Sequence, residues 1–415
     1  MADLTINFAG IKAPNPFWLA SGPPSNTAGQ VLQAFDKGWG GAVWKTIGAR
    51  VVNVYSRYAG LDYHSRRLAG MTNIELISDR SVAENLRDIE LVKKHYPERP
   101  VIVSLMTQSR EDWQQLVKDA ENAGADGLEL NFSCPHGMSA RGMGAAVGQE
   151  PQLVELLTRW VMEVASAPVL VKLTPNITDI TEPARAAKQG GADALAMINT
   201  IQSIAGVDID HFVPYPVVGT RSTSGGFSGP AIKPVALNMV KNCALDPGLG
   251  LPISGIGGIE TWRDAVEFIL LGAGLLQICT AVMHHGFGII DNLISGIEKY
   301  MSEKGFGRIS EFTGKALHNT TSWGNLNLNN RVVAHINSVK CNACHVCYTA
   351  CNDGAYQAIT IPEKSADKKP LIVAEKCTGC NLCSLVCPSN GITMINISRE
   401  EEELTWNQLT DNQIL

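Results

Sequence analysis

Eight cysteines near the C-terminus carry the plainest chemistry in this chain. Cys341, Cys344, Cys347 and Cys351 follow a 2-2-3 spacing, and Cys377, Cys380, Cys383 and Cys387 repeat it, ending in Pro388. Thiolates at that spacing bind [4Fe–4S] clusters, with the fourth cysteine of each run serving the other cluster. One expected set is therefore Cys341, Cys344, Cys347 and Cys387, and the second is Cys377, Cys380, Cys383 and Cys351. Structural zinc sites seldom pack four cysteines this way and then repeat the pattern. Asn352 stands where the spacing has proline after the fourth cysteine, a change that removes no ligand.

The remaining cysteines, Cys134, Cys243 and Cys279, are scattered over the first 340 residues. Cys134 lies in Asn131-Phe132-Ser133-Cys134-Pro135-His136, which opens a glycine-bearing loop running to Gly148. Such a loop reads as a lid. A thiol near its free pKa of about 8.5 is mostly protonated at neutral pH, so Cys134 is a candidate proton donor, with His136 as the alternative. Lys172, inside the apolar run VLVKLTP, must meet an anion, an acceptor or a cofactor, because burying it unpaired is costly. Cys243 falls in an expected helix and receives no role.

These groups need elements to hold them. Short apolar runs recur at 16–20, 41–47, 101–106, 127–133, 169–175, 194–200, 252–258 and 275–281, each bounded by Gly, Pro or polar residues as buried parallel strands are. Segments 81–96, 110–123, 151–165, 179–189, 231–242 and 261–271 carry apolar residues at helical spacing. Eight strands alternating with helices predict an α/β fold, a (β/α)8 TIM barrel over residues 1–305. A connector at 306–335, a small two-cluster ferredoxin-like domain at 336–397 and a polar C-terminal tail at 398–415, mobile or in contact with a partner, complete the expected organisation. A doubly wound sheet is disfavoured by the lack of a G-x-G-x-x-G after any strand.

Polar tips recur where these strands end: Ser21, Lys45 and Thr46, Asn131, Lys172, Asn199 and Thr200, Gly257 and Gly258, and Thr280. Barrel active sites are built at that end. Gly257 and Gly258, Cys279 and Thr280, and the glycines of SGGFSGP up to Gly229 suit a bound phosphate. Clusters move single electrons, and a partner cofactor that trades single electrons yet delivers a hydride is a flavin, here FMN. With no dinucleotide fingerprint, the chain is expected to exchange electrons with a separate reductase rather than oxidise NAD(P)H itself.

Composition narrows the remaining classes. With 34 Lys+Arg against 40 Asp+Glu the net charge is −6, which disfavours a nucleic-acid partner. A hydrophobic content of 45% is enough for a large core. No apolar run approaches the roughly 18 residues of a membrane helix, and the first residues lack the pattern of a secretory signal. A cytoplasmic protein is expected.

The segments NIELIS (73–78), LELNFSCPHGM (128–138), VKLTPNITDI (171–180), ISGIGGIETW (253–262), LQICTA (276–281) and CNACHVCYTACNDGAYQAI (341–359) together resemble the dihydropyrimidine dehydrogenase family. Asn352 also matches that family's pattern. The resemblance implies reversible reduction of the 5,6 double bond of uracil or thymine. It implies hydride from FMN to C6 and a proton from Cys134 to C5. Substrate contacts then fall on Asn73, Glu75, Ile77, Asn131, Asn199 and Thr200. FMN contacts fall on Ser21, Lys45, Thr46, Lys172, Gly229, Gly257, Gly258, Cys279 and Thr280. The resemblance further implies a hetero-oligomer with a reductase subunit holding FAD and NAD(P). Two alternatives are a dihydroorotate dehydrogenase-like enzyme and a non-catalytic electron-transfer subunit. Glu75 at a mapped substrate position argues against the first, because its carboxylate would repel the orotate anion.

Overall fold

A computed structural model describes residues 2–49, 51–63, 65–133, 143–363, 367–398 and 404–411. The chain divides into two compact units, residues 1–318 and 319–415.

The first unit is a closed barrel of eight parallel strands: β1 (Phe17–Leu19), β2 (Gly41–Gly48), β3 (Val101–Met106), β4 (Gly127–Asn131), β5 (Val169–Lys172), β6 (Ala194–Met197), β7 (Ile253–Ile256) and β8 (Ala273–Ile278). They pair in chain order, and β8 closes on β1 through Leu276 opposite Phe17. This is the expected (β/α)8 barrel. Between the strands run α1 (Ala28–Asp36), α2 (Val82–His95), α3 (Arg110–Asn122), α4 (Pro151–Met162), α5 (Thr181–Gln189), α6 (Lys233–Leu245) and α7 (Trp262–Leu270), with α8 (Ile289–Lys304) after β8. Side-chain oxygens start several of them. Ser81 and Glu84 form a reciprocal cap on α2, and Thr261 with Asp264 does the same for α7.

Strand periodicity divides each strand between two environments. One set of side chains faces the helices and joins the large apolar core. The other set points inward. Low in the barrel this inner set is apolar: Trp18, Val43, Ile102, Leu170, Ala194 and Leu275 pack on Phe8, Ile11 and Ala13 of an N-terminal hairpin (Ile6–Phe8 with Ile11–Ala13). Two residues further along the same strands, the inner positions become Ser104, Lys172 and Gln277, all buried. The barrel interior thus changes from dry to polar toward the C-terminal strand ends.

Two insertions were not anticipated from the apolar runs. Strands Tyr58–Tyr63 and Arg66–Asn73, between β2 and α2, join Ile201–Ser203 and Gly225–Ser228, between β6 and α6, in a four-stranded antiparallel sheet. Their sequences (YAGLDY, GGFS) carry too little apolar alternation to read as strands. No helix among the described residues is long and apolar enough to cross a membrane.

The expected boundary at 305 needs correction. Residues 306–318 are packed into the barrel unit rather than forming a connector. Phe306 stacks on Phe312 at 5.2 Å, Phe312 meets Tyr300 at 5.7 Å, and Asp3 N–H donates to the Gly307 carbonyl at 2.8 Å. The aromatic spacing 300–306–312 is what ties this segment down.

The second unit is small. Strands Val332–Ile336 and Ile392–Asn396 pair antiparallel, as do Ile359–Thr360 and Leu371–Ile372, beside helices Val346–Gly354 and Leu382–Leu385. Its buried core is Ala334, Cys347, Cys351, Ala358, Ile359, Cys383 and Ile392. The tail also differs from a free end over its described part. Trp406 packs edge-on against Trp323 at 5.8 Å, and Leu328 N–H donates to the Leu404 carbonyl at 2.7 Å. A tryptophan just after a run of glutamates gives this segment an apolar anchor.

Phe312 is fully buried, so Phe312→Ala is expected to destabilise the barrel unit by about 3–5 kcal/mol. Denaturant unfolding followed by tryptophan fluorescence checks this. A loss below 1 kcal/mol would return the segment to a connector.

Candidate functional site

The strand ends converge on an open cavity of about 1150 Å³ at the C-terminal mouth of the barrel. Every candidate substrate and FMN residue named from the sequence, Cys134 aside, lines it. Cys134, His136 and most of the expected lid lie outside the described residues.

Ser21, just past β1, and Thr46, on β2, are bridged at 3.2 Å, and Thr46 also meets Ser104 Oγ at 2.9 Å. Asn131, the last residue of β4, donates to Thr46 Oγ1 at 3.0 Å. Its amide oxygen accepts from Ser133 Oγ at 3.0 Å, and Asn199 donates to that same Ser133 hydroxyl at 2.7 Å. Thr200 N–H donates to Asn199 Oδ1 at 2.8 Å. The amides are thus held by neighbours on β2 and just past the ends of β4 and β6. They form a neutral wall of donors and acceptors suited to a ring bearing N–H and C=O groups.

Glu75 sits in the same wall and is buried. Its Oε1 meets Lys45 Nζ at 2.8 Å and Arg57 Nη1 at 2.7 Å, while Oε2 accepts from Tyr58 OH at 2.8 Å. Burial and the Glu75 charge push the Tyr58 phenol well above its usual pKa. Glu75 N–H donates to Asn73 Oδ1 at 2.6 Å, and Ile77 is buried beside them. The reading of Glu75 as a repeller of anions is corrected here. Two cations neutralise it, so this corner carries no excess negative charge.

Lys172 ends β5, in register with Asn131 of β4. Its ammonium lies 3.4 Å from Glu129 Oε1, and Gln277 donates to Glu129 Oε2 at 2.9 Å. Glu129 is fully buried and Gln277 nearly so. Gln277 Oε1 has no hydrogen-bond partner among the described residues. Glu129 and Gln277 were missed in the sequence, although a carboxylate in LELNF carries the same burial signal as Lys172 in VLVKL. Cys279 and Thr280 start the short helix Thr280–His285 after β8, and Thr280 Oγ1 meets Ser228 Oγ at 2.9 Å. Burial pushes the Cys279 thiol up to about 11 despite the neighbouring Lys172 and Lys45, so it stays protonated at neutral pH. Gly229, Gly257 and Gly258 all have positive φ (100°, 127° and 77°). A Cβ at Gly258 would meet Lys233 Cβ at 2.8 Å and the Gly229 carbonyl at 3.0 Å, so glycine alone lets these turns close on one another.

In the second unit, Cys341, Cys344, Cys347 and Cys387 line one cavity of about 310 Å³. Cys351, Cys377, Cys380 and Cys383 line another of about 350 Å³. Burial raises the Cys347 pKa, and the neighbouring sulfurs of Cys341, Cys344 and Cys387 raise it further. Thiols that disfavour one another's ionisation while facing one space are suited to a cationic centre. Backbone N–H groups of Ala358 and Gly391 reach the sulfurs of Cys351 and Cys387, each at 3.3 Å. Asn352 also finds its reason. The first helix continues to Gly354, so a proline at 352 would lie inside it, whereas the second helix ends at Leu385, ahead of Pro388.

Comparison with known proteins agrees with this division. A family model described as dihydroorotate dehydrogenase matches residues 3–301, and one described as a 4Fe-4S dicluster domain matches 334–394. The chain is 42% identical over 365 residues to the NAD-dependent dihydropyrimidine dehydrogenase subunit PreA of Escherichia coli K12, covering 88% of this chain and 89% of that protein. It is 44% identical over 333 residues to the chloroplastic dihydropyrimidine dehydrogenase (NADP(+)) of Arabidopsis thaliana, covering 77% and 78%. To the catalytic subunit of dihydroorotate dehydrogenase B (NAD(+)) from Thermococcus kodakarensis it is 38% identical over 319 residues, covering 76% of this chain and 99% of that protein. The chain belongs to the dihydroorotate dehydrogenase family, and within it to the dihydropyrimidine dehydrogenase group, with a 4Fe-4S dicluster domain at its C-terminal end.

Proposed function

We propose that the chain reduces the 5,6 double bond of uracil or thymine, reversibly, with FMN in the barrel cavity and two [4Fe–4S] clusters in the C-terminal unit. The electrons come from an NAD(P)H-oxidising, FAD-bearing partner subunit, consistent with the name of the PreA relative. The observation that carries the reading is what the cavity brings together: the Lys172 ammonium at the end of β5, with the amides of Asn131, its register partner on β4, and of Asn199, just past β6.

The residues present fit FMN. The unpartnered Gln277 Oε1 offers an acceptor, Lys172 and Lys45 offer positive charge, and Gly229, Gly257, Gly258 and Thr280 line the same cavity, where they would take the phosphate. Bound there, FMN supplies a carrier that takes up single electrons and delivers a hydride. Lys172 would balance the negative charge of the bound cofactor. Asn73, Asn131, Asn199 and Thr200 orient the pyrimidine through its ring N–H and carbonyl groups. Cys134 gives its thiol proton to C5 and takes it back in the reverse direction. The eight cysteines hold the clusters in the two sets that line separate cavities.

A second reading, dihydroorotate oxidation, is favoured by one observation. Glu75 is matched by Lys45 and Arg57, so it does not by itself repel a substrate carboxylate from the cavity. An anaerobic experiment separates the two. The protein is reduced with dithionite, freed of excess reductant and mixed with uracil, thymine or orotate while the flavin band is followed. Reoxidation by uracil or thymine is expected. Reoxidation by orotate alone would replace the proposal with the second reading, and silence with all three would overturn both.

Cys134→Ala is expected to cost about 10²- to 10⁴-fold in turnover while leaving dithionite reduction of the flavin intact. Pyrimidine reduction in the unaltered enzyme should fall as pH rises through the thiol pKa, because the acid must carry its proton, and the reverse reaction should rise. Stopped-flow rates across pH check both. Glu129→Gln leaves Lys172 buried without its anion, which is expected to cost about 3–5 kcal/mol in flavin-free protein. An anionic cofactor then replaces the lost partner, so FMN should raise the melting temperature of Glu129→Gln more than that of the parent chain. Equal shifts would remove Lys172 from cofactor binding.

A further inference from the structure

A second cluster of ligating side chains lies at the rim of the barrel mouth, and neither the proposed reaction nor the family comparison uses it. Glu260 follows the Gly257–Gly258 turn after β7, and His284 and His285 end the short helix after β8. One ligand atom from each of the three lies within 4.8 Å of the other two. Glu260 Oε1 and His284 Nε2 are both buried, and neither has a hydrogen-bond partner among the described residues. Buried polar atoms are nearly always paired, so two orphans in so tight a cluster call for a shared partner. Arg66 holds the other carboxylate oxygen of Glu260 in an ion pair, which fixes the carboxylate with Oε1 turned inward. Ligating carboxylates are typically held this way from behind. The two imidazoles meet edge to face, 6.0 Å apart.

We propose that Glu260, His284 and His285 form a binding site for a divalent transition-metal ion of the zinc class. Two imidazoles and one carboxylate match the donors such ions prefer, whereas magnesium and calcium favour all-oxygen sites. Metal–ligand bonds of about 2.0–2.2 Å require the three atoms to draw in by roughly an ångström. His285 is exposed and free to swing, so the adjustment falls on the one side chain that packing does not fix. Three protein ligands leave at least one position for water, and Glu260 also lines the main cavity, so the ion would sit at its edge.

The test uses the full chain, purified anaerobically with flavin and with iron and sulfide at full cluster content, so that the cysteines are occupied. Titration with zinc chloride by calorimetry should show one ion per chain. His285→Ala, a surface change that leaves folding intact, should weaken binding by more than about tenfold, as should His284→Gln. Magnesium chloride should give no heat. Cobalt(II) in place of zinc, read by its electron paramagnetic resonance signal, should report nitrogen ligation that His285→Ala alters. Zinc bound equally by the parent chain and both variants would assign the ion to other groups and overturn the site. Absence of a one-to-one zinc isotherm in the parent chain would do the same, and neither result bears on pyrimidine reduction.

Discussion

The pair formed by Lys172 and Glu129 is the constraint around which the barrel interior is arranged. A charge taken out of water costs several kcal/mol unless matched, and here both partners are buried within the strands themselves. At 3.4 Å the contact is longer than the 2.7–2.9 Å of a tight ion pair, so the ammonium retains capacity toward the cavity. Gln277 supplies a second donor to the carboxylate, which keeps Glu129 compensated when Lys172 turns to another partner. The arrangement depends on strand register, with Asn131 of β4 opposite Lys172 of β5. A one-residue slip would turn Lys172 outward into the apolar helix layer and remove Asn131 from the mouth.

Glu75 meets the same problem differently. Glu75 lies on an inserted segment rather than a barrel strand, and it takes its compensation from Lys45 of β2 and from Arg57 and Tyr58 of the insertion. In the proposed reaction, specificity between a neutral pyrimidine and a carboxylate-bearing one would therefore rest on how much of the Lys45 and Arg57 charge Glu75 absorbs. The charge of Glu75 alone does not decide it. The amide relay through Asn131, Ser133 and Asn199 is independent of that balance, because each member is satisfied by neutral neighbours.

The parts of the fold that were legible were those written as period and punctuation. Eight apolar runs ended by polar tips were enough for the barrel, since buried parallel strands are continuous and their exits are polar. The cavity residues on those exits followed directly. Glu129 and Gln277 sit in the same kind of run as Lys172 and were overlooked, because a single acid or amide among leucines reads as a break in pattern until its inward parity is known. The four-stranded insertion was invisible for another reason. Its strands earn their pairing from one another across more than 130 residues, as with Thr72 and Ser203, whose hydroxyls meet at 2.9 Å. Glu75, Arg57 and Tyr58 gained their meaning only from that sheet. Residues 306–318 were misplaced because three aromatics six residues apart match neither helical nor strand spacing.

The C-terminal unit shows how a repeat can be read beyond its ligands. Ala343 and Gly379 occupy equivalent places in the two cysteine runs, as do His345 and Asn381, and all four have positive φ, between 57° and 73°. The backbone therefore follows the same left-handed course around each cavity even where the side chains differ. Ala343 and His345 adopt that course without glycine's freedom, which places a steric cost in the first loop that the second partly avoids. That cost must be met by whatever fills the space between the sulfurs, because among the described residues the apolar core of this unit is seven buried residues, three of them cysteines. Each run also sends its last cysteine, on or just past its helix, to the other run's cavity. The two halves are thereby tied through Cys351 and Cys387, and neither loop has a complete set of sulfurs without the other.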